Sequence, residues 1–214
     1  MAKGRERTFN AVHMDIFNPM LADGKYQMPI VLPTDHIPTK LIAFNSVKTA
    51  KDTECGVHFF IDDYQFERLW RSPELYINRL KQFDCVLTPD FSLYTDMSIA
   101  TQIWNVYRSR LLGQLMQAHG IKVIPTLQWS TEESYEFCFD GLKQGGTVAV
   151  STIGVKRYAN ATQLWRDGMT EAIKRLKPDH IILYGEPVEY DFGNIDIIRI
   201  SNTITAWRTK ENGR

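Results

Sequence analysis
A chain of 214 residues with 43% hydrophobic and 12% aromatic content carries enough apolar material for one sizeable core, which excludes a disordered tail. Its 25 basic and 25 acidic residues leave no net charge, so charge alone supports neither a general nucleic-acid affinity nor a DNA-mimicking surface. Cys55, Cys85 and Cys138 are odd in number and contain no CxxC, the start MAKGRERTF lacks the apolar core of a signal peptide, and no apolar run is long enough to span a bilayer. The expectation is a cytoplasmic protein with reduced thiols and no membrane partner.

Residues 1–40 read as an irregular N-terminal arm packed on the domain, with a basic, frayed start. Phe9, Met14, Ile16, Phe17, Met28, Ile30, Val31 and Leu32 are too much apolar surface for a free tail, and Pro29, Pro33 and Pro38 bar the arm from a central strand. It is expected to cover the open side of the domain or one end of its sheet. Strands are predicted over 41–45 and 57–62. A helical turn over 64–70 follows, and Ser72 with Pro73 starts a helix that faces the sheet with Tyr76, Ile77 and Leu80.

The stretch 83–129 is the centre of the pattern. Short β-branched runs at 84–88 and 122–127 flank a helix that Asp96 would cap and Gly120 would end, which makes a parallel βαβ unit. Ile99, Ile103, Trp104, Tyr107, Leu111 and Leu115 form its apolar stripe, which Arg110 and Gln114 interrupt. A buried guanidinium needs a partner, and an ion pair with a carboxylate is the expectation.

Ser130 and Glu133 have capping-box spacing before a helix with Tyr135, Cys138, Phe139 and Leu142 inward, ended by Gly141. A strand over 147–152 comes next. Asn160 and Gln163 then start a helix with Ala161, Trp165, Met169, Ala172 and Leu176 on its inner face, stopped by Pro178. Strands over 181–184 and 195–200 close a domain spanning 41–200, and 201–214 is a polar C-terminal tail.

About seven strands alternating with helices predict an α/β fold with a mainly parallel sheet, barrel-like in the manner of an incomplete TIM barrel. A flavodoxin-like open sheet is the alternative. Either version binds ligands where the strand C-termini emerge, and no GxGxxG supports a dinucleotide site. Reading the strand ends gives Asp62, Asp63, Asp90 and Glu186 as candidate catalytic carboxylates or ligands of a divalent metal such as Mg²⁺. Caps and turns are the competing explanation for the aspartates.

Asn45, Gln128, Trp129, Ser151 and Thr152 are candidate substrate contacts, Trp129 by stacking or else as a lid on the core. Lys156 and Arg157 precede a helix and are candidates for holding a phosphate. The pair Cys55 and His58 in CGVH is half of a zinc motif with no second half, so zinc is not expected there. The pattern suits an enzyme acting on a phosphorylated small molecule, nucleotide or nucleic acid. The alternative is a non-catalytic binding protein that sequesters a nucleotide or a protein partner.

At FDCVLTPDFSLYTDM, QIWNVYRSRLLGQLMQAHGIKVIPTLQW, FCFDGL and VAVSTIGVK the chain resembles an uncharacterised family of bacteria, phages and mobile elements, a domain of unknown function. The likeness covers roughly 41–200 and is most specific at 105–110 and 150–154. It implies a phage or mobile-element context, in which the alternative becomes a non-catalytic phage or mobile-element binding protein that sequesters a nucleotide or a host protein partner, and it assigns no catalytic residue.

Overall fold
The computed structural model describes residues 3–155 and 159–201. The segment read as an irregular arm contains more regular structure than its prolines and glycines suggest. Helix α1 (Lys3–Ala11) occupies the basic start that was expected to fray, and β1 (Ala22–Asp23) pairs antiparallel with β2 (Met28–Pro29).

The apolar runs become parallel strands because each is separated from the next by a crossover too long for a hairpin. Strands β3 (Leu41–Ala43) and β4 (Gly56–His58) are joined through a short 3-10 turn. Helices α2 (Glu67–Arg71) and α3 (Glu74–Leu80) lead to β5 (Cys85–Leu87), and α4 (Ile99–Ala118) leads to β6 (Val123–Ile124). After α5 (Tyr135–Cys138) come β7 (Thr147–Ser151), α6 (Ala159–Leu176), β8 (His180–Tyr184) and β9 (Asp196–Ile200).

The strands lie in chain order, β3-β4-β5-β6 in a four-stranded parallel sheet and β7-β8-β9 in a three-stranded one. A parallel bridge between Thr126 and Ala149 links the two sheets. Among the described residues β9 and β3 do not pair, so the barrel is not closed. The flavodoxin alternative is not realised either, because its first strand lies inside the sheet and β3 lies at an edge.

Side chains alternate between two apolar layers. Val57, Val86, Val123, Val148 and Ile181 pack with helix residues such as Leu112, Met116, Met169 and Ala172. Phe60, Cys85, Leu87, Ile124, Ala149, Ile182 and Tyr184 form a second cluster, against which Leu41 of β3 and Ile198 and Ile200 of β9 also pack.

Several local expectations need correction. Ser98, not Asp96, caps α4, its Oγ accepting from the Thr101 amide at 3.3 Å, while Gly120 takes the left-handed conformation just beyond the helix. The capping box at Ser130 and Glu133 is not made. Ser134 Oγ instead accepts from the Ser130 amide, and only four residues of α5 are α-helical. Asn160 lies inside α6 rather than capping it.

Arg110 is fully buried and, among the described residues, pairs with no carboxylate. Its guanidinium donates to the backbone carbonyls of Cys138 at 2.7 Å, Asp140 at 3.3 Å and Thr126 at 3.4 Å. The Cys138 and Asp140 carbonyls lie at and just beyond the end of α5, where Arg110 supplies donors that a longer helix would have provided, and the Thr126 carbonyl follows β6. Burial pushes its pKa down to about 10, which still leaves it charged at neutral pH.

The first forty residues run along α4 and then under the N-terminal ends of the strands. Gln114 Nε2 donates to the carbonyls of Leu21 and Ile30, and Gln117 holds both the amide and the carbonyl of Leu32. Val31, with no exposed surface, sits over Gly113, where a Cβ would come within 2.9 Å of it. The chain continues past Thr147, whose amide donates to the Thr34 carbonyl, and reaches Asp84 through His36. Among the described residues no helix is long and apolar enough to cross a membrane.

Candidate functional site
The loop after β5 is the most heavily tied segment at the C-terminal end of the strands. Thr88 and Thr126 exchange hydrogen bonds, Thr88 Oγ1 accepting from the Thr126 amide and Thr126 Oγ1 donating to the Thr88 carbonyl. Beyond them the loop carbonyls are taken one after another by buried side chains. Ser109 Oγ donates to Pro89, Gln128 Nε2 to Phe91, Asn105 Nδ2 to Ser92 and Gln102 Nε2 to Met97, at 2.6 to 3.0 Å.

Asp63 completes the clasp from the loop after β4, accepting from the Ser92 amide at 3.0 Å and its hydroxyl at 2.8 Å. Arg108 orients the Asn105 amide by donating to its Oδ1, is paired with Glu67, and lies 3.8 Å from the centroid of the Phe91 ring. The loop is thus fixed by side-chain hydrogen bonds from three neighbouring segments. Asp90 sits on it.

Beside this loop opens a cleft of about 580 Å³, with Asp62, Asp90, Gln128, Trp129, Ser151 and Trp165 among its lining residues. The strand-end reading therefore brought together five of its candidates, Asp62, Asp90, Gln128, Trp129 and Ser151, in one concavity. Asp62 is an exposed carboxylate on the rim. Asp63 lies behind the wall, tied to Ser92 as above, and Asn45 reaches only as far as Gln65 Oε1, at 2.6 Å.

Trp129 donates its indole N–H to the Leu164 carbonyl and fills the space left by Gly168, where a Cβ would come within 2.2 Å of Nε1. It is at once part of the wall and anchored on α6. Thr152 turns away from the cleft and donates to the carbonyls of Tyr184 and Glu186, and Glu186 is exposed without lining the cleft. Lys156 and Arg157 lie outside the described residues. Phe60, Phe91, Tyr94 and Trp165 also line the cleft and were not read as site residues. Aromatic residues beside a strand end were the signal for them, although Trp165 also fits the inner stripe of its helix.

Burial, reinforced by the negative charge of Asp63, pushes the Asp90 carboxyl up to about 7, while a hydrogen bond from the Gln128 side chain opposes the rise. At neutral pH such a carboxyl is present in both protonation states, as a general acid or base must be. Asp62, Asp63, Asp90 and Glu186 supply no group of three ligands that converges on one point. The Mg²⁺ expectation therefore gains no support from them. His58 of the CGVH motif is buried between the Phe60 and Tyr184 rings, with Nδ1 accepting from the Phe60 amide at 3.1 Å, and burial pushes its pKa down to about 3.

These features define a parallel α/β protein with an aromatic-walled acidic cleft at the C-terminal strand ends. The chain belongs to the family described as domain of unknown function DUF4417, whose model matches residues 20–202. It is 42% identical to the Gene 1 protein of Mycobacterium phage L5 over 87% of this chain and 82% of the phage protein. It is 41% identical to the Gene 1 protein of Mycobacterium phage D29 over 89% of this chain and 72% of that protein. No solved structure is a significant match.

Proposed function
We propose that this is an enzyme acting on a nucleotide or a related phosphorylated small molecule, with Asp90 as its general acid or base. The observation that carries this reading is the placement of Asp90, a carboxyl pushed up to about 7, on a clasped loop and in the cleft. Trp129 and Tyr94 offer faces for a planar base, Gln128 and Ser151 offer polar contacts, and Asp62 is the second carboxylate at the rim. Lys156 and Arg157 are retained as the phosphate-binding part of the proposal. We read the strands from β3 to β9 as one incomplete barrel, a reading supported by their sequential order, by the Thr126–Ala149 bridge and by the inner cluster that takes in both edge strands. The unpaired state of Cys55, Cys85 and Cys138 fits the reducing cytoplasm of a host cell.

The test is turnover and calorimetric binding of the purified protein on a panel of nucleotides and short oligonucleotides. Asp90→Asn is expected to lower kcat by about 10²–10⁴-fold with ligand affinity retained, and to remove the limb near pH 7 from the rate profile. Full turnover in Asp90→Asn would overturn the assignment of Asp90. Binding without turnover in the parent protein would make it a sequestering module with the same cleft.

A further inference from the structure
At the other end of the sheet, His36 from the arm meets Asp84 and Cys85 at the start of β5. One ligand atom from each lies within 4.8 Å of those of the other two. We propose that His36, Asp84 and Cys85 bind a divalent transition-metal ion of the zinc class, independently of the chemistry in the cleft.

A zinc ion bonds nitrogen and oxygen at about 2.0–2.2 Å and thiolate at about 2.3 Å, so ligand atoms in a tetrahedral shell stand roughly 3.3–3.8 Å apart. His36 Nε2 and Asp84 Oδ2, now 2.7 Å apart, need to separate by only about 1 Å to meet that spacing. One nitrogen, one oxygen and one sulfur donor suit zinc and exclude the all-oxygen preference of Mg²⁺ and Ca²⁺.

Each ligand is held in place by its own contacts. The His36 amide donates to Thr34 Oγ1, and the Thr34 carbonyl accepts from the Thr147 amide at 2.7 Å. The Asp84 amide donates to the carbonyls of Thr53 and Cys55. Cys85 Sγ occupies the space that a Cβ on Gly56 would invade, at 2.9 Å. Lys122 Nζ holds Asp84 Oδ1 at 3.0 Å and leaves Oδ2 to the cluster, as an outer partner of a metal carboxylate does.

An ordinary ion network of His36, Asp84 and Lys122 accounts for two of the three candidate ligands, and core packing houses Cys85; what carries the proposal is that nitrogen, oxygen and sulfur donors from all three converge. On binding, the Cys85 S–H bond gives way to a sulfur–metal bond and its proton leaves to solvent, so affinity should rise with pH. A bound metal would pin the arm to the sheet, and a water molecule would complete the shell.

The experiment is a Co²⁺ titration of the full chain after chelator treatment, followed by displacement with Zn²⁺. One Co²⁺ per chain is expected, with a thiolate-to-cobalt charge-transfer band in the near ultraviolet and intense tetrahedral d–d absorption. Cys85→Ser should remove the charge-transfer band and Cys55→Ser should preserve it. Because Cys85 is buried, the partly exposed His36→Ala serves as a second variant. It should weaken Co²⁺ binding by more than the roughly 10–100-fold that loss of an outer partner costs. No charge-transfer band in the parent protein, a band that survives in Cys85→Ser, or unchanged affinity in His36→Ala would overturn the site.

Discussion
At the N-terminal ends of the strands the chain covers itself with its own backbone, Thr34 accepting from Thr147, Lys40 from Gly56, and Val31 donating to Gly141. At the C-terminal ends, among the described residues, the loop that borders a cleft is held instead by buried amide side chains from α4 and from the segment after β6. Backbone strapping closes an end, because it occupies the space where a ligand would sit. Side-chain anchoring fixes geometry and leaves that space open, as a binding site requires.

Removing the cover should have the largest effect. Deleting residues 1–40 strips away Met28 and Val31, both without exposed surface, together with every strap to α4 and β7. The product is expected to aggregate or oligomerise, while deletion of 1–7, whose described residues lie in the exposed first part of α1, should leave the melting temperature unchanged. Light scattering and thermal melts decide it, and a monomer starting at Leu41 with the parent Tm would show that the closed end needs no arm.

Arg110 braces the anchored end from inside. Arg110→Met keeps most of the volume but leaves three carbonyls without donors, so a loss of about 3–5 kcal/mol in denaturant unfolding is expected. Its position in the apolar stripe was legible from spacing alone. Its partners were not, because they are backbone atoms of residues far along the chain, and a carbonyl carries no sequence signature.

A smaller effect separates a clasped carboxyl from one merely at the surface. In the unfolded chain Asp90 has an ordinary pKa, and in the fold it is pushed up to about 7. From pH 4 to 7 the folded protein keeps a proton that the unfolded chain has released, so Asp90 makes stability fall as pH rises through that window and level off above it. Asp90→Asn should flatten the slope and be more stable than the parent at pH 8, by about 2–4 kcal/mol in urea unfolding. Equal pH slopes in the two proteins would mean that Asp90 ionises normally.

The strands were readable because each is a short β-branched run between breakers, and five of the strand-end residues were readable as a site because parallel strands all finish on one side. Thr152 and Glu186 were over-read for the same reason. The turn after β8 folds back onto Thr152, an event set by two hydrogen bonds that a pattern of residue types does not encode. The capping box failed similarly, since Ser134 stood nearer than Glu133 to the amide that needed a partner.

Strands β3 to β9 each pair with neighbours in chain order, so a chain leaving the ribosome can add one ladder after another as it is made. The strap cannot follow that order. Val31 bridges Leu142 and Thr34 receives the Thr147 amide, so the arm can dock on α4 once that helix is made but cannot complete its contacts until β7 has emerged. Translation thus leaves the arm's apolar residues incompletely covered, and open to chaperones and to other chains, while the residues between the arm and β7 are being made.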